Sequence, residues 1–305
     1  MYDLIGDIHG HANALEALLI GMGYTRRGIG FSHPSRRAIF LGDFLDRGPE
    51  IGRVLAIVRA MLESGSALAV MGNHELNALA FQTPRPGSPG EYLRPRTASN
   101  VRQHQATLDQ LPPGELLAHL AWLRELPLWL ELDGLRVVHA CWDERCRAVV
   151  AAGLATHGGL NEGFLADAYS PGCSLHEAVE VLLKGKEARL PAGVSFRDAD
   201  GHERTSIRTR WYLPATRQTY RTYALQTAPI ECDEPVGETV VRAASPYPAG
   251  EKPAFVGHYW LNAPAPFLLT SNVACLDFSV AKGGFLCAYR WDGERELVDD
   301  HFFRA

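Results

Sequence analysis

Nothing in this chain of 305 residues spaces cysteines for a metal or a redox couple. Six cysteines are scattered, none forms a CxxC pair, and the nearest two are Cys141 and Cys146. Reduced thiols are the expectation, and a disulfide framework or a thiolate zinc site is excluded. Positive charge is also short: 30 Lys and Arg stand against 35 Asp and Glu, a net charge of -5. That balance speaks against duplex nucleic acid or an anionic membrane as the main partner. No apolar run reaches the roughly 18 residues needed to span a bilayer. No charged stretch followed by an apolar signal segment opens the sequence. A cytoplasmic, soluble protein is therefore expected. Solenoid-type repeats and low-complexity tracts are absent.

What is there is apolar mass, 46% of the chain. It suffices for one large domain, or for a domain carrying an insertion. Residues 2–5, 37–41 and 67–70 read as short strands. Between them, residues 13–19 and 51–62 space their apolar positions as helices. Residues 75–81 read as a further short helix. This β-α-β-α-β order predicts an α/β architecture with right-handed crossovers. Residues 82–100 read as loop, and 106–125 as helix interrupted at Pro112-Pro113. Asp133-Gly134 between two apolar runs predicts a hairpin. Residues 145–245 read differently. They open with helical spacing at 147–154 and show it again at 175–184. A loop-rich stretch follows at 190–227. The segment is taken as an insertion within a single domain covering 1–305. Residues 253–258 then return to a strand, and 272–277 and 284–291 read as closing strands.

The strands share one feature: each ends in groups able to bind a metal. Asp7 and His9 follow the first, Asp43 the second, Asn73 the third, His139 the hairpin and His258 the late strand. A lone Asp-x-His after a strand is ordinarily a turn with a surface histidine, and Asn73 alone is an ordinary turn residue. Five strand ends that all offer ligands point to one assembled site. Imidazole, carboxylate and one amide oxygen suit first-row divalent ions, Mn first, with Fe or Zn as alternatives. Two such ions about 3.5–4 Å apart would clamp the attacking and leaving oxygens of an in-line displacement, and Asp43 is the natural bridge. His104, His119 and His176 lack this setting and read as surface or helix-face residues. His11 is placed in the surroundings of the site or in solvent.

Gly6-Asp7-Ile8-His9-Gly10, Gly42-Asp43-Phe44-Leu45-Asp46-Arg47-Gly48 and Gly72-Asn73-His74-Glu75 resemble the three signature motifs of the calcineurin-like metallophosphoesterases. They most resemble the phosphoprotein-phosphatase branch, with its bacterial serine/threonine phosphatases and diadenosine tetraphosphatases. The resemblance implies a four-layer α/β/β/α sandwich. It implies Asp7, His9 and Asp43 on one ion, and Asp43, Asn73, His139 and His258 on the other. His74 would be the general acid, oriented by Asp46, with Arg47 and Asn73 at the phosphate. The implied reaction is hydrolysis of a phosphate ester or anhydride by a metal-activated water, on a small molecule or a phosphoprotein. A protein-phosphatase-like enzyme is the first expectation, and a dinucleoside polyphosphate hydrolase the second. A catalytically silent binding module on the same fold is the rival from another class. The third histidine departs from the pattern, being followed by Ala140-Cys141 instead of two glycines. Substrate choice is expected in the insertion, at Lys186, Arg208 and Arg210, with Lys184 and Arg204 nearby. Trp211, Tyr212, Tyr259 and Trp260 could stack a base or belong to the core.

Overall fold

The computed structural model describes residues 1–198, 201–225 and 230–305. Within the stretch read as loop, residues 199, 200, 226 and 227 lie outside the described residues. β1 (Tyr2–Ile5) leads to α1 (Ala12–Gly21) and a hairpin of β2 (Thr25–Arg27) and β3 (Gly30–Ser32). Next come β4 (Arg37–Phe40), α2 (Ile51–Glu63), β5 (Ala67–Ala69) and α3 (Asn73–Gln82). α4 (Ala98–Gln110) and α5 (Pro113–Leu123) precede the hairpin β6 (Trp129–Glu131) and β7 (Arg136–Val138). The middle segment carries three helices, α6 (Glu144–His157), α7 (Glu162–Ala168) and α8 (Ser174–Lys184). Short strands follow, β8 (Glu187–Arg189), β9 (Phe196–Arg197), β10 (Glu203–Arg204) and β11 (Ser206–Arg208), then α9 (Tyr220–Tyr223) and α10 (Glu238–Ala243). The chain closes with β12 (Ala254–Val256), β13 (Val273–Cys275), β14 (Asp277–Phe278), β15 (Phe285–Trp291) and β16 (Phe302–Arg304).

Two sheets organise the molecule. One runs β14-β15-β1-β4-β5, with β16 beside β15, and the other runs β13-β12-β7-β6. β1, β4 and β5 are mutually parallel, and so are β7, β12 and β13. One apolar core joins them, including Leu4 and Ile39 of one sheet, Val58 of α2, and Val137, Phe255 and Ala274 of the other sheet. Ile51, Val54, Leu55, Val58 and Met61 are the buried face of α2. Their i, i+3, i+4, i+7 spacing matches one side of a 3.6-residue helix, and each such burial stabilises by about 1.5–3 kcal/mol. Parallel strands need helical crossovers, and these cover the sheets from outside. The mixed α/β fold expected from the strand–helix alternation is what the chain adopts.

Six parallel strands therefore point their carboxyl ends at one region, where α/β sheets bind ligands. The loops there approach closely. A Cβ on Gly42, at φ 92°, would lie 2.3 Å from the Gly72 nitrogen, and one on Gly257 would lie 2.0 Å from Asp7 Oδ1. Only glycine leaves room at these two positions.

One expectation needs correction, and two features went unread. Residues 98–100 are not loop: α4 begins at Ala98, where Thr97 Oγ1 accepts the Asn100 N–H at 3.2 Å. Its polar composition masks the helical period. Residues 25–32 form a hairpin that the sequence reading passed over. The stretch from residue 190 is loop-rich, as read, but it also carries short strands. β8 pairs with β11, β9 pairs with β10, and Ala188, Leu190, Ile207, Tyr220, Ile230 and Cys232 enclose a small apolar cluster of their own. Strands of two or three residues are too short to show a period.

Candidate metal centre and the cavity beside it

Each sequence-predicted ligand sits one to four residues beyond a parallel strand, and the structure brings all six together. One ligand atom each from His9, Asp43 and His74 lies within 4.8 Å of the others, and so does one each from Asp43, His139 and His258. Asp43 belongs to both groups. Its Oδ2 is 3.5 Å from His9 Nε2 and its Oδ1 is 3.4 Å from His139 Nε2. Asn73 Oδ1 lies 3.0 Å from His139 Nε2 and 2.8 Å from His258 Nδ1. His9 Nδ1 donates to Leu45 O at 2.8 Å and His139 Nδ1 to Leu41 O at 2.7 Å. These backbone acceptors fix the rings so that both Nε2 atoms face the site. Asp7 Oδ1, His9 Nε2 and His258 Nε2 are buried and have no hydrogen-bond partner. Buried polar atoms are nearly always paired, so three orphans in one oxygen- and nitrogen-lined site fit divalent cations.

Electrostatics agree. Burial and the neighbouring Asp277 and Asp43 push the Asp7 carboxyl well above its usual range. Burial disfavours a charge on His139, but Asp43 and Asp7 outweigh it and push the imidazole up to about 10. Burial and the nearby His74 push His9 down to about 3. The proton that the carboxylates hold on His139, and the charge that Asp7 gives up, mark a site where a cation would take the place of protons.

The supporting groups were less visible in the sequence. Glu75 is fully buried, and its carboxylate accepts four backbone N–H groups. These come from Asp43 at 2.7 Å, Phe44 at 2.8 Å, Leu45 at 3.2 Å and Gly72 at 3.0 Å. It ties the loop after β4 to the start of α3. Asp277 follows β13 and accepts the Trp260 N–H at 2.6 Å and the Ser279 N–H at 3.0 Å. It repeats the strand-then-carboxylate pattern of Asp7 and Asp43, which was the available signal. Six of the eight non-glycine residues with positive φ among the described residues lie here: His9, Asp43, Asp46, Arg47, His258 and Trp260. Such strain persists only where surrounding contacts hold it, and it gathers at functional sites.

His74 Nδ1 donates to Asp46 Oδ2 at 2.5 Å. Burial opposes its cationic form, but Asp43 and Asp46 raise its pKa above the ordinary imidazole value. The structure corrects the reading of His104. It is buried, and its Nδ1 lies 2.7 Å from the other oxygen of Asp46. His119 and His176 are partly exposed on their helices, as expected. His11 is half-buried just before α1.

A cavity of about 450 Å³ opens over this centre. Arg47, Arg94, Lys184, Arg204, Arg208 and Lys282 reach its wall. The Arg47 guanidinium stands 4.0 Å from the Trp260 ring centre and Lys282 Nζ 4.1 Å from it. Lys184 is ion-paired with Glu180. Two sequence candidates sit elsewhere. Lys186 lies off the wall, with Nζ 2.6 Å from Asp143 Oδ2. Arg210 is also off the wall, exposed, with Nε donating to Ala224 O at 3.1 Å. β11 alternates its side chains, so Arg208 faces the cavity and Ile207 the small cluster. Trp211 and Tyr212 are core residues, and the buried Tyr259 donates its hydroxyl to Ala140 O at 3.0 Å. Only Trp260 of the four aromatics presents a ring edged by cations.

An α/β protein with a histidine- and aspartate-lined candidate centre at its strand ends is thus defined. A family model for calcineurin-like phosphoesterases matches residues 2–170, more than half of the chain. The chain belongs to the calcineurin-like phosphoesterase family. It is similar to the asymmetrical bis(5'-nucleosyl)-tetraphosphatase PrpE of Bacillus subtilis (strain 168), 39% identical over 74 residues. That match covers 24% of this chain and 30% of the relative. A symmetrical bis(5'-nucleosyl)-tetraphosphatase of Ralstonia nicotianae is 31% identical over 142 residues, 45% of this chain and 40% of that one. The chain therefore spans less than half the length of these two relatives. Among solved structures it resembles a cold-active protein-tyrosine phosphatase of a psychrophile, Shewanella sp.. The TM-score is 0.52 at 15% identity, over 95% of this chain and 75% of that one, a likeness of fold. No helix among the described residues is long and apolar enough to cross a membrane.

Proposed function

We propose that this chain is a dinuclear metal-dependent phosphoesterase that hydrolyses a phosphate ester or anhydride. The observation that carries the reading is Asp43, which stands between two groups of ligand atoms, each within 4.8 Å. Asp7, His9 and Asp43 would hold one ion, and Asp43, Asn73, His139 and His258 the other. Mn is the ion expected, with Fe or Zn as alternatives. Bound there, divalent ions supply neutralisation of phosphate charge and acidification of a water. Arg47 holds phosphate oxygens, since a guanidinium can grip two at once. His74, held through Nδ1 by Asp46, delivers a proton from Nε2 to the leaving oxygen. We place the protein in the cytoplasm, where its six free cysteines stay reduced. We also read residues 145–245 as an insertion that builds one wall of the cavity, on the strength of its separate apolar cluster.

A specific observation favours a small polyanion over a phosphoprotein. Lys184, Arg204 and Arg208 from the insertion line the cavity together with Arg94 and Lys282. Lys184 pairs with Glu180 and Arg204 with Asp198, while Arg208, Arg94 and Lys282 share the wall with Arg47, enough for more than one phosphate. Trp260 offers a ring for a base. A dinucleoside polyphosphate, the substrate class in the names of the two relatives, suits that wall. A silent binding module is disfavoured because every ligand position and the proton donor are filled.

Elemental analysis after Mn loading should give close to two equivalents, and Asp43→Asn should lose both. A panel of phosphopeptides, dinucleoside tetraphosphates and nucleotides on the loaded protein then identifies the substrate. A single retained ion with unchanged binding in Asp43→Asn would remove the dinuclear reading.

A further inference from the structure

We infer that His104, with Thr107, is a positioning residue for the proton donor. The inference rests on reading His74 as that donor. Asp46 has two oxygens and three side-chain partners. Oδ2 receives His74 Nδ1 at 2.5 Å. Oδ1 receives His104 Nδ1 at 2.7 Å and the Thr107 hydroxyl at 2.6 Å. A carboxylate only accepts, so His104 carries its proton on Nδ1. The Thr107 oxygen in turn accepts the Asp46 N–H at 3.0 Å, which closes a small ring.

The geometry extends along α4. Three residues later, Gln110 accepts the Ile51 N–H at 2.8 Å and donates to Gly48 O at 2.8 Å. His104, Thr107 and Gln110, at i, i+3 and i+6, share one face of α4, and that face grips residues 46–51. Asp46 and Arg47 hold left-handed backbone, at φ 66° and 71°, a conformation that non-glycine residues avoid. The helix therefore does two things to Asp46. It holds the strained backbone, and it saturates Oδ1 so that Oδ2 alone meets His74. A carboxylate left free to rotate would offer His74 either oxygen and a range of directions, and the Nε2 proton would lose its aim. His104 Nε2 is buried without a hydrogen-bond partner, and the ring centre packs 5.2 Å from that of Phe81. His104 is not on the wall of the large cavity and its hydrogen bond goes to Asp46, so its effect passes through that carboxylate.

The test uses Mn-loaded protein and a series of phenyl phosphates of rising leaving-group pKa. His104→Phe keeps a ring against Phe81 but removes the donor. His104→Asn keeps an N–H near the position of Nδ1. We expect kcat of the Phe variant to fall on the order of 10-fold for the poorest leaving groups, as for other groups that orient active-site side chains. The fall should be smaller for nitrophenyl phosphate, with KM and Mn content nearly unchanged. The Asn variant should recover most of the loss. Thr107→Val, which removes the second donor to Oδ1, should steepen the leaving-group dependence in the same direction and decides the matter if the Phe variant does not fold. An equal loss across the series, or no recovery with Asn, makes His104 merely structural and overturns the inference. His74→Ala is the control. If it also loses equally across the series, the proton-donor reading fails. If it steepens the dependence and the His104 and Thr107 variants do not, only the present inference fails.

Discussion

Replacing Glu75 by glutamine tests how the site is held, independently of any substrate. The carboxylate accepts four backbone N–H groups, three from residues 43–45 and one from Gly72. Its side chain is fully buried, so water cannot take over. Oε2 serves Asp43 and Gly72, and Oε1 serves Phe44 and Leu45. A glutamine keeps one oxygen and turns an NH₂ toward the other two N–H groups. Two donors then lose their acceptor and face another donor. Each unsatisfied buried group costs about 1–3 kcal/mol, so Glu75→Gln should lose roughly 2–6 kcal/mol. For a chain of this size each kcal/mol lowers Tm by about 2–4 °C or somewhat less. A drop on the order of 10 °C follows, read by calorimetry on metal-free protein. Mn binding should weaken as well, because Asp43 sits on the released loop at φ 53°. A Glu75→Gln protein that melts within about 2 °C of the wild type, with unchanged Mn affinity, would refute the claim that this carboxylate holds the loop.

Arg208 lines the cavity and Lys186 does not, so their alanine variants should part company. Arg208→Ala should raise KM for the best polyanionic substrate several-fold and leave nitrophenyl phosphate turnover much less affected. Lys186→Ala should change KM values little for any substrate, and steady-state kinetics on both substrates checks the pair. The Lys186–Asp143 contact should instead show in stability against pH. Burial resists ionisation of Asp143, but the hydrogen bonds from Lys186 and the Cys146 N–H hold its pKa below the ordinary value. A depressed carboxylate stabilises the fold above its unfolded pKa, about 4, and that contribution fades as pH falls toward the folded value. Asp143→Asn should therefore be less stable than wild type at neutral pH, with the gap closing in acid, as thermal melts across that range would show.

The candidate ligands, and their gathering at one place, were legible because their signal is local and repeated. A short apolar run marks a buried strand, and a polar residue just beyond it marks the end where ligands gather. Asp7, Asp43, Asn73, His139 and His258 all carry that mark in one dimension. Asp277 carries it too, but the run at 272–277 read as a single closing strand, so its last residue looked like strand and not like site. His104 carries no such mark. It sits in a polar stretch next to proline- and glycine-rich loop, and only the fold turns its ring onto Asp46. Its spacing to Thr107 and Gln110 was in the sequence, but three polar residues on a helix ordinarily face solvent, and nothing local says that a loop some 60 residues earlier packs there. The insertion was misread in part for a related reason. Lys186 just precedes β8 and Arg208 ends its partner β11, yet one meets Asp143 and the other the cavity. A count of cations cannot separate them, because side-chain direction depends on strand register.

The site also explains where this fold concentrates cost. Asp7, Asp43 and Asp277 are buried close together, and burial and mutual repulsion push Asp7 and Asp277 toward the neutral form. Left-handed backbone at six residues adds strain in the same place. A chain selected only for stability would replace such residues with apolar ones. Here the opposing contributions come from just outside: four N–H bonds to Glu75, the grip of α4 on residues 46–51, and the shared core beneath the strand ends. These contacts hold the ligands in place before any ion arrives. On the proposed reading, cation binding would relieve the carboxylate repulsion and satisfy the orphaned atoms of Asp7, His9 and His258 together. The free energy of that step would add to folding stability by mass action, since the unfolded chain has no such site. Rigidity at Glu75 and α4 and affinity at Asp43 are thus linked properties of one loop, residues 42–51.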